Sequence, residues 1–467
     1  MKLILILTAI AAVVFCAPVA EAQRAVSTET EYLQASPTPT PAKRVVTVKR
    51  VAAQSASASP TAARRVAPVA KSTPKATPAT KNAAVVRSTP VAKATPVVKK
   101  APVAKVTPAV KVVVKVAPTP PPPVPVRIKP EDLNNLAYFI AGLPVTSGPL
   151  AALEKLPEWI AYSNSMNARW KKFDLGRLQP IRVWTEKELA HANVQRLFYP
   201  FSGPDFIYAD TMFPHASTYI LCGLEPVGNV PAMDKLQPLD VTLGWLQASM
   251  KTLTEAGYFV TKDMNEDLKA SPLQGTLPIM FVMLARTGAR LDSIICDATH
   301  AEIRYVAANG GHERSLYYFS ADLSNAGMGK RSAFLNFLRQ IHPDAAYVKS
   351  ASYLMHEEDF SAVRNYLLTQ CSTIVQDDSG IPLRYFDTHR WTLQLYGTYV
   401  APLDIFAKYY QQDMSDLYAK TTAAPLTFGA GYHWSAKTAT LIVGTAHAMS
   451  ATDKTATSST SASQTHR

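Results

Sequence analysis

The sequence predicts an α/β or α+β fold, a mixed sheet flanked by helices, preceded by a disordered tether rich in proline, lysine and alanine. Two observations carry this reading. Beyond Lys129 apolar residues switch repeatedly between period-2 runs and helical spacing, the pattern of strands alternating with helices. Aromatic residues, missing from Ser36 to Arg127, appear throughout residues 129–447. That stretch is long enough for one large core or two smaller ones.

In chain order, Lys2 supplies a basic start, Leu3 to Phe15 an apolar segment and Ala20-Glu21-Ala22 a small-x-small processing site. Residues 1–22 therefore read as a signal peptide. The expected location is exported, periplasmic or extracellular, or associated with the cell surface. Cys16 is a poor lipidation site because Val13-Val14-Phe15 lacks small residues. No later run approaches the roughly 18 to 20 apolar residues of a membrane span, so no transmembrane segment is expected in the mature chain. Leu277 to Ala285 comes nearest, but it contains Pro278 and ends at Arg286. Cys222, Cys296 and Cys371 are an odd set: an oxidising compartment would permit one disulfide, with the pairing open, and each also sits beside an apolar run as a core residue would.

Residues 23–128 read as the tether. Pro68 to Pro74 (PVAKSTP) returns as Pro90 to Pro96 and as Pro102 to Pro108, and Pro120 to Pro123 form a short rod. Such a segment buries too little apolar surface to offset its ordering entropy. The net charge of +13 is concentrated here, because Arg24 to Arg127 holds 18 basic and 2 acidic residues while the remainder is slightly acidic. A cationic arm attracts anionic envelope polymers or lipid headgroups through counterion release, or serves as a solvated spacer. Without aromatics to stack on bases, specific nucleic-acid recognition is not expected.

Glu131 to Gly142 and Pro149 to Phe173, interrupted at Pro157, have helical spacing. Val194 to Tyr199 (strand), Asp205 to Met212 (helix, Asp205 as N-cap) and Thr218 to Gly223 (strand) make a β-α-β unit. Val241 to Ala256 is an amphipathic helix stopped by Gly257, and Met264 to Ala270 and Leu277 to Thr287 continue the helical block. Strands are expected next at Ser293 to Asp297, Ala301 to Ala307 and Arg314 to Ser320, the last two joined by a glycine-rich hairpin loop. Helices at Arg331 to Ile341 and Asp359 to Leu368 alternate with strands at Ala346 to Ser350 and Ser372 to Val375. A hairpin is expected where Gln376 to Gly380 turns into Pro382 to Phe386. Trp391 to Tyr396 adds a strand, Pro402 to Lys420 a helix, and Leu426 to Trp434 with Ala439 to Val443 a closing hairpin. Residues 448–467 form a Ser/Thr-rich tail.

Two segments concentrate chemistry. The first is Tyr199 to Asp210 with His215, where a Ser-Gly-Pro loop lies between a strand and a helix start. It supplies Ser202, Asp205, Asp210 and His215, although Phe201-Ser202-Gly203 is not a nucleophile elbow. The second is Gln376 to Gly380 with Asp377 and Asp378, followed by Asp387 and His389; paired carboxylates suit a hard cation or acid-base work, and the same residues suit a tight turn. No cofactor is implied and no metal set emerges; a dispersed zinc site among His215, His300, His312 and His389 is the only alternative.

The run Tyr199 to Asp210, with Leu221 to Pro226 and Ser352 to His356, resembles exported bacterial proteins of unknown function that share a YPFSGPDF-type segment. The resemblance spans most of 129–445 and implies no activity. Two functions remain open: an envelope-associated globular module on a cationic tether, and a secreted hydrolase with a pocket formed by the 199–215 and 376–389 segments.

Overall fold

The computed structural model describes residues 128–232, 236, 238–259, 273–308, 310–330 and 332–447. The signal peptide, Cys16, nearly all of the tether, the Met264 to Ala270 helix and the tail lie outside the described residues.

Proline sets where several helices begin, since its missing N–H falls where a helix leaves that group unpartnered anyway. Pro130 opens α1 (Pro130–Ile140) and Pro157 opens α3 (Pro157–Phe173), after the short α2 (Leu150–Leu153). Pro180 stands in the first turn of α4 (Gln179–Glu188). Between α3 and α4 the chain keeps coiling through one π turn, Asp174–Leu178. Sequence periodicity ended the helix at Phe173 and missed α4.

The β-α-β unit is present as β1 (Arg196–Tyr199), α5 (Phe206–Met212) and β2 (Thr218–Gly223), with β1 and β2 paired in parallel. The helix expected over Val241 to Ala256 is split at Met250 into α6 (Leu239–Ser249) and α7 (Lys251–Ala256). There Ser249 Oγ bonds back to the Trp245 carbonyl and Thr254 Oγ1 to that of Met250, competing with the regular ladder. Gly257 closes α7 at φ +83°, a left-handed position glycine adopts without strain. α8 (Leu277–Arg286) then leads into the antiparallel meander β3 (Arg290–Cys296), β4 (His300–Val306) and β5 (Arg314–Ser320). The rest is α9 (Asn325–Lys330), α10 (Ser332–Ile341), β6 (Ala345–Val348), α11 (Ser361–Gln370), β7 (Thr373–Gln376), β8 (Trp391–Gly397), α12 (Gln412–Lys420) and β9 (Thr440–Ala446).

Among the described residues nine strands form one mixed sheet in the order β3-β4-β5-β2-β1-β6-β7-β9-β8. Its centre, β5-β2-β1-β6-β7, is entirely parallel. Successive residues on these strands enter opposite cores, as a two-residue period requires. Leu197, Tyr219, Leu221, Tyr347 and Val375 pack with α1 and α3 to α8, whereas Phe198, Ile220, Cys222, Ala346, Val348 and Ile374 pack against α9 to α11. Burial on both faces explains why these strands read as unbroken apolar runs.

Two expected hairpins are not formed. Pro382 to Phe386 holds a 3-10 turn, Leu383–Tyr385, because Pro382 cannot donate to a ladder; β7 pairs antiparallel with β9 instead. Leu426 to Trp434 is a loop with a single bridge between Ala430 and His433, and β9 enters the sheet between β7 and β8. The helix expected over Pro402 to Lys420 is a 3-10 segment, Asp404–Tyr409, followed by α12. No helix among the described residues is long and apolar enough to cross a membrane.

Phe198 is fully buried, edge-on to Phe334 and Tyr366 in the second core. Phe198→Ala is expected to cost about 3–5 kcal/mol in urea unfolding. Val183→Ala, at a position 62% exposed on α4, should stay within about 0.5 kcal/mol.

Candidate functional site

The chain enters the parallel block at β1, builds outward through β2 to β5, and returns to place β6 on the other side of β1. This is the 3-2-1-4-5 order of doubly wound sheets, whose ligands bind beyond the strand carboxyl ends where the order reverses. Here that point lies between β1 and β6.

Six loops meet on this edge, those after β1, β2, β5, β6 and β7 and the one before β9. After β1, Phe201 and Gly203 have φ of +59° and +53°. Ser202 Oγ accepts the Cys222 amide at 3.1 Å and donates to the Gly203 carbonyl at 2.9 Å, tying this loop to the end of β2. Asp205 caps α5 by accepting the Tyr208 amide at 3.4 Å, and its other oxygen accepts Tyr199 Oη at 2.9 Å and Lys349 Nζ at 3.0 Å. After β2, Gly223 has no room for a side chain: a Cβ there would lie 2.2 Å from Glu225 Oε2 and 2.8 Å from Gly203 Cα. The Ala321 amide, after β5, donates to the Gly223 carbonyl at 2.8 Å.

The loop after β6 is strained. Ser350, Ser352 and Tyr353 have φ of +52°, +51° and +55°, a region that costs a side-chain-bearing residue roughly 1–3 kcal/mol each. The loop after β7 holds it in place. Asp377 Oδ2 accepts the Ser350 amide at 2.7 Å, Ser379 Oγ accepts the Ala351 amide at 2.8 Å, and Tyr353 Oη donates to Asp378 Oδ2 at 2.5 Å. From the loop before β9, Tyr432 Oη donates to the Ser350 carbonyl at 2.8 Å and accepts the Ser352 amide at 3.1 Å. Gly431, at φ +60°, lies so close to Asp377 that a Cβ would fall 2.1 Å from its Oδ2.

These loops and the 3-10 segment enclose a crevice of about 400 Å³ with apolar walls. Phe201, Tyr258, Phe259, Phe360, Phe406 and Tyr432 line it, and Leu224 and Ile405, 60% and 80% exposed, stand on its rim. Below it a recess of about 20 Å³, room for a water, is bordered by Ser202, Asp205, Glu225, Lys349 and Ser350.

Burial and the neighbouring Asp378 hold the Asp377 carboxyl up at about 6. Burial likewise raises Asp378, whose Oδ1 has no hydrogen-bond partner among the described residues. His433 lies 3.9 Å from Asp378, and burial lowers its imidazole below the usual range. Burial, followed by the Asp205 charge, raises the Tyr199 phenol far above its ordinary value, so it stays protonated and donates to Asp205.

Of the residues the sequence singled out, Ser202, Asp205, Asp377 and Asp378 stand on this edge. Asp210, His215 and His389 stand on the opposite one, at the amino ends of the parallel strands. Asp210 accepts Tyr219 Oη at 3.2 Å and lies 3.8 Å from Arg314, with burial raising its carboxyl to about 6. His215, His312 and His389 are exposed, and His300 pairs with Asp297 at 3.0 Å. No group of three or more His, Cys, Asp or Glu among the described residues is arranged to hold a metal, so the four histidines form no zinc site. Cys222, Cys296 and Cys371 form no disulfide with one another. The 199–215 segment lines the crevice through Phe201 and Gly203, whereas 376–389 contributes nothing to its lining and acts from beneath. With the Ser202 hydroxyl bonded to backbone and two of the candidate imidazoles on the far edge, the combined hydrolase pocket is not assembled.

Sequence reasoning missed Lys349, Glu225 and the aromatic lining. A lysine directly after the apolar run Ala345 to Val348 was the available signal. The segments Leu221 to Pro226 and Ser352 to His356, with Tyr199 to Asp205, form three of the loops on this edge. The chain matches no protein-family model and no curated protein.

Lys349 and Asp205 are 5% and 2% exposed, so removing one partner strands a buried charge. Lys349→Met is expected to lose about 3–5 kcal/mol in chemical denaturation, and adding Asp205→Asn should recover part of it; strictly additive losses would show that the pair is not coupled. The raised Asp377–Asp378 pair makes the folded chain bind more protons than the unfolded one between 3.8 and about 6. Its stabilisation is therefore present at low pH and lost as pH rises through that window. The stability of Asp378→Asn relative to wild type, from urea midpoints, should be more favourable at about pH 7 than at about pH 5.

Proposed function

We propose that the chain is an exported, envelope-associated binding module whose globular part takes a small ligand with an apolar body in the crevice between the β1 and β6 loops. The observation that carries this is the crevice itself: about 400 Å³, within the range of small-molecule sites, with apolar walls, at the switch point of a doubly wound sheet. The strained Phe201, Ser350, Ser352 and Tyr353 on its loops support the same reading, because such backbone persists where a shape is worth its cost. The basic N-terminal quarter supports retention on anionic envelope material, with 18 basic against 2 acidic residues from Arg24 to Arg127.

The uncharged dye N-phenyl-1-naphthylamine is expected to bind near one equivalent with a rise in fluorescence, and Leu224→Trp at the rim should weaken it several-fold. Deleting 36–127 should leave dye binding intact and abolish co-sedimentation with phosphatidylglycerol vesicles. Absence of dye binding, or binding indifferent to Leu224, would remove the ligand reading; unchanged co-sedimentation would remove the envelope reading.

A further inference from the structure

We propose that the ligand of the crevice is an organic ammonium cation carried on an apolar body. The inference rests on the ligand-binding reading above and adds the charge of the ligand.

Among the described residues six aromatic rings border the cavity, and five of them form two banks. Phe201 and Phe360 meet edge to face at 5.8 Å; Tyr258 and Phe406 each lie 5.0 Å from Tyr432. Ring faces carry the negative lobe of the aromatic quadrupole, and a quaternary ammonium desolvated among several of them gains without needing a hydrogen-bond partner. The fold already sets one ammonium against a ring face: Lys349 Nζ lies 4.1 Å from the centre of the Tyr208 ring, in addition to its hydrogen bonds.

The acidic side chains point the same way. Asp322, which accepts the Ser324 amide and hydroxyl, lines the cavity, and Glu225, which accepts Tyr318 Oη, borders the adjoining recess. Lys349, which also borders that recess, is committed to Asp205 at 3.0 Å and to the Gly257 carbonyl at 2.6 Å. The position where doubly wound folds seat a phosphate, the helix start after β1, is occupied by the protein's own Asp205 carboxylate. An anionic ligand therefore meets like charge at the helix start after β1 and at Asp322, whereas a cation meets ring faces and a carboxylate there; the Ser350 hydroxyl, buried with no hydrogen-bond partner among the described residues, is left to serve a polar group of either kind.

The test uses the full-length protein at physiological salt, titrated calorimetrically with choline and with 3,3-dimethylbutan-1-ol, which replaces the quaternary nitrogen by carbon at nearly equal shape. Choline should bind at least about tenfold more tightly. Leu224→Lys at the exposed rim should weaken choline several-fold and Leu224→Glu strengthen it, with the alcohol unaffected by either. Equal affinities for the two probes, or choline binding indifferent to charge at Leu224, overturns the cation assignment and leaves the ligand site standing. Failure of both probes while the naphthylamine dye binds also overturns it, whereas failure of all three removes the underlying site.

Discussion

The buried ion pair between Asp205 and Lys349 is the constraint on which this edge of the molecule depends. The two residues come from loops leaving β1 and β6, the strands on either side of the point where the sheet reverses its winding. Helices leave these strands toward opposite faces, so nothing in the ladder holds the loops together beyond Tyr199 and Val348. A charge pair shielded from water does so, and it also satisfies the helix start, the Tyr199 phenol and the Gly257 carbonyl. Such pairs add little net stability compared with apolar packing, but breaking one is costly. Its contribution is to fix one arrangement of the loops.

A second tier of polar contacts builds on the first. Asp377, Ser379 and Tyr432 take up or supply the backbone hydrogen bonds of residues 350–352, which have no ladder partner because that backbone has turned left-handed and left the sheet. The adjacent carboxylates are thus explained by bracing, and their raised proton affinity is a by-product of being buried side by side.

Much of the fold was legible in the sequence because buried parallel strands and amphipathic helices leave strong periodic signals. Thr218 to Gly223 and Arg314 to Ser320 were read residue for residue. What failed was pairing: Leu426 to Trp434 and Pro382 to Phe386 look like hairpin arms locally, yet β9 finds its neighbours through residues 373–376 and 391–397, a long-range choice that local spacing does not encode. The site followed the same rule. Ser202, Asp205, Asp377 and Asp378 announced themselves as polar residues at strand ends, while Asp210, His215 and His389 had the right chemistry at the wrong ends of strands. The aromatic lining was invisible because its rings come from separate segments, from Phe201 to Tyr432, and only the folded chain gathers them.

The π turn at 174–178 has a consequence for how this protein tolerates change in length. Each extra residue advances a helical wheel by about 100°, and the widened turn takes up one such residue, keeping the faces before and after it on the same core. Before it, Trp159, Tyr162, Met166 and Trp170 point into the core; after it, Ile181 and Trp184 do, with Trp184 lodged edge-on against Tyr396 and Phe428. Loss of a single residue there would restore a plain α-helix and leave Trp184 in place, whereas loss of one between Leu178 and Trp184 would swing the indole to the exposed position now held by Val183. A surface helix that looks at liberty to shorten is therefore indexed, like a key, to the far end of the sheet.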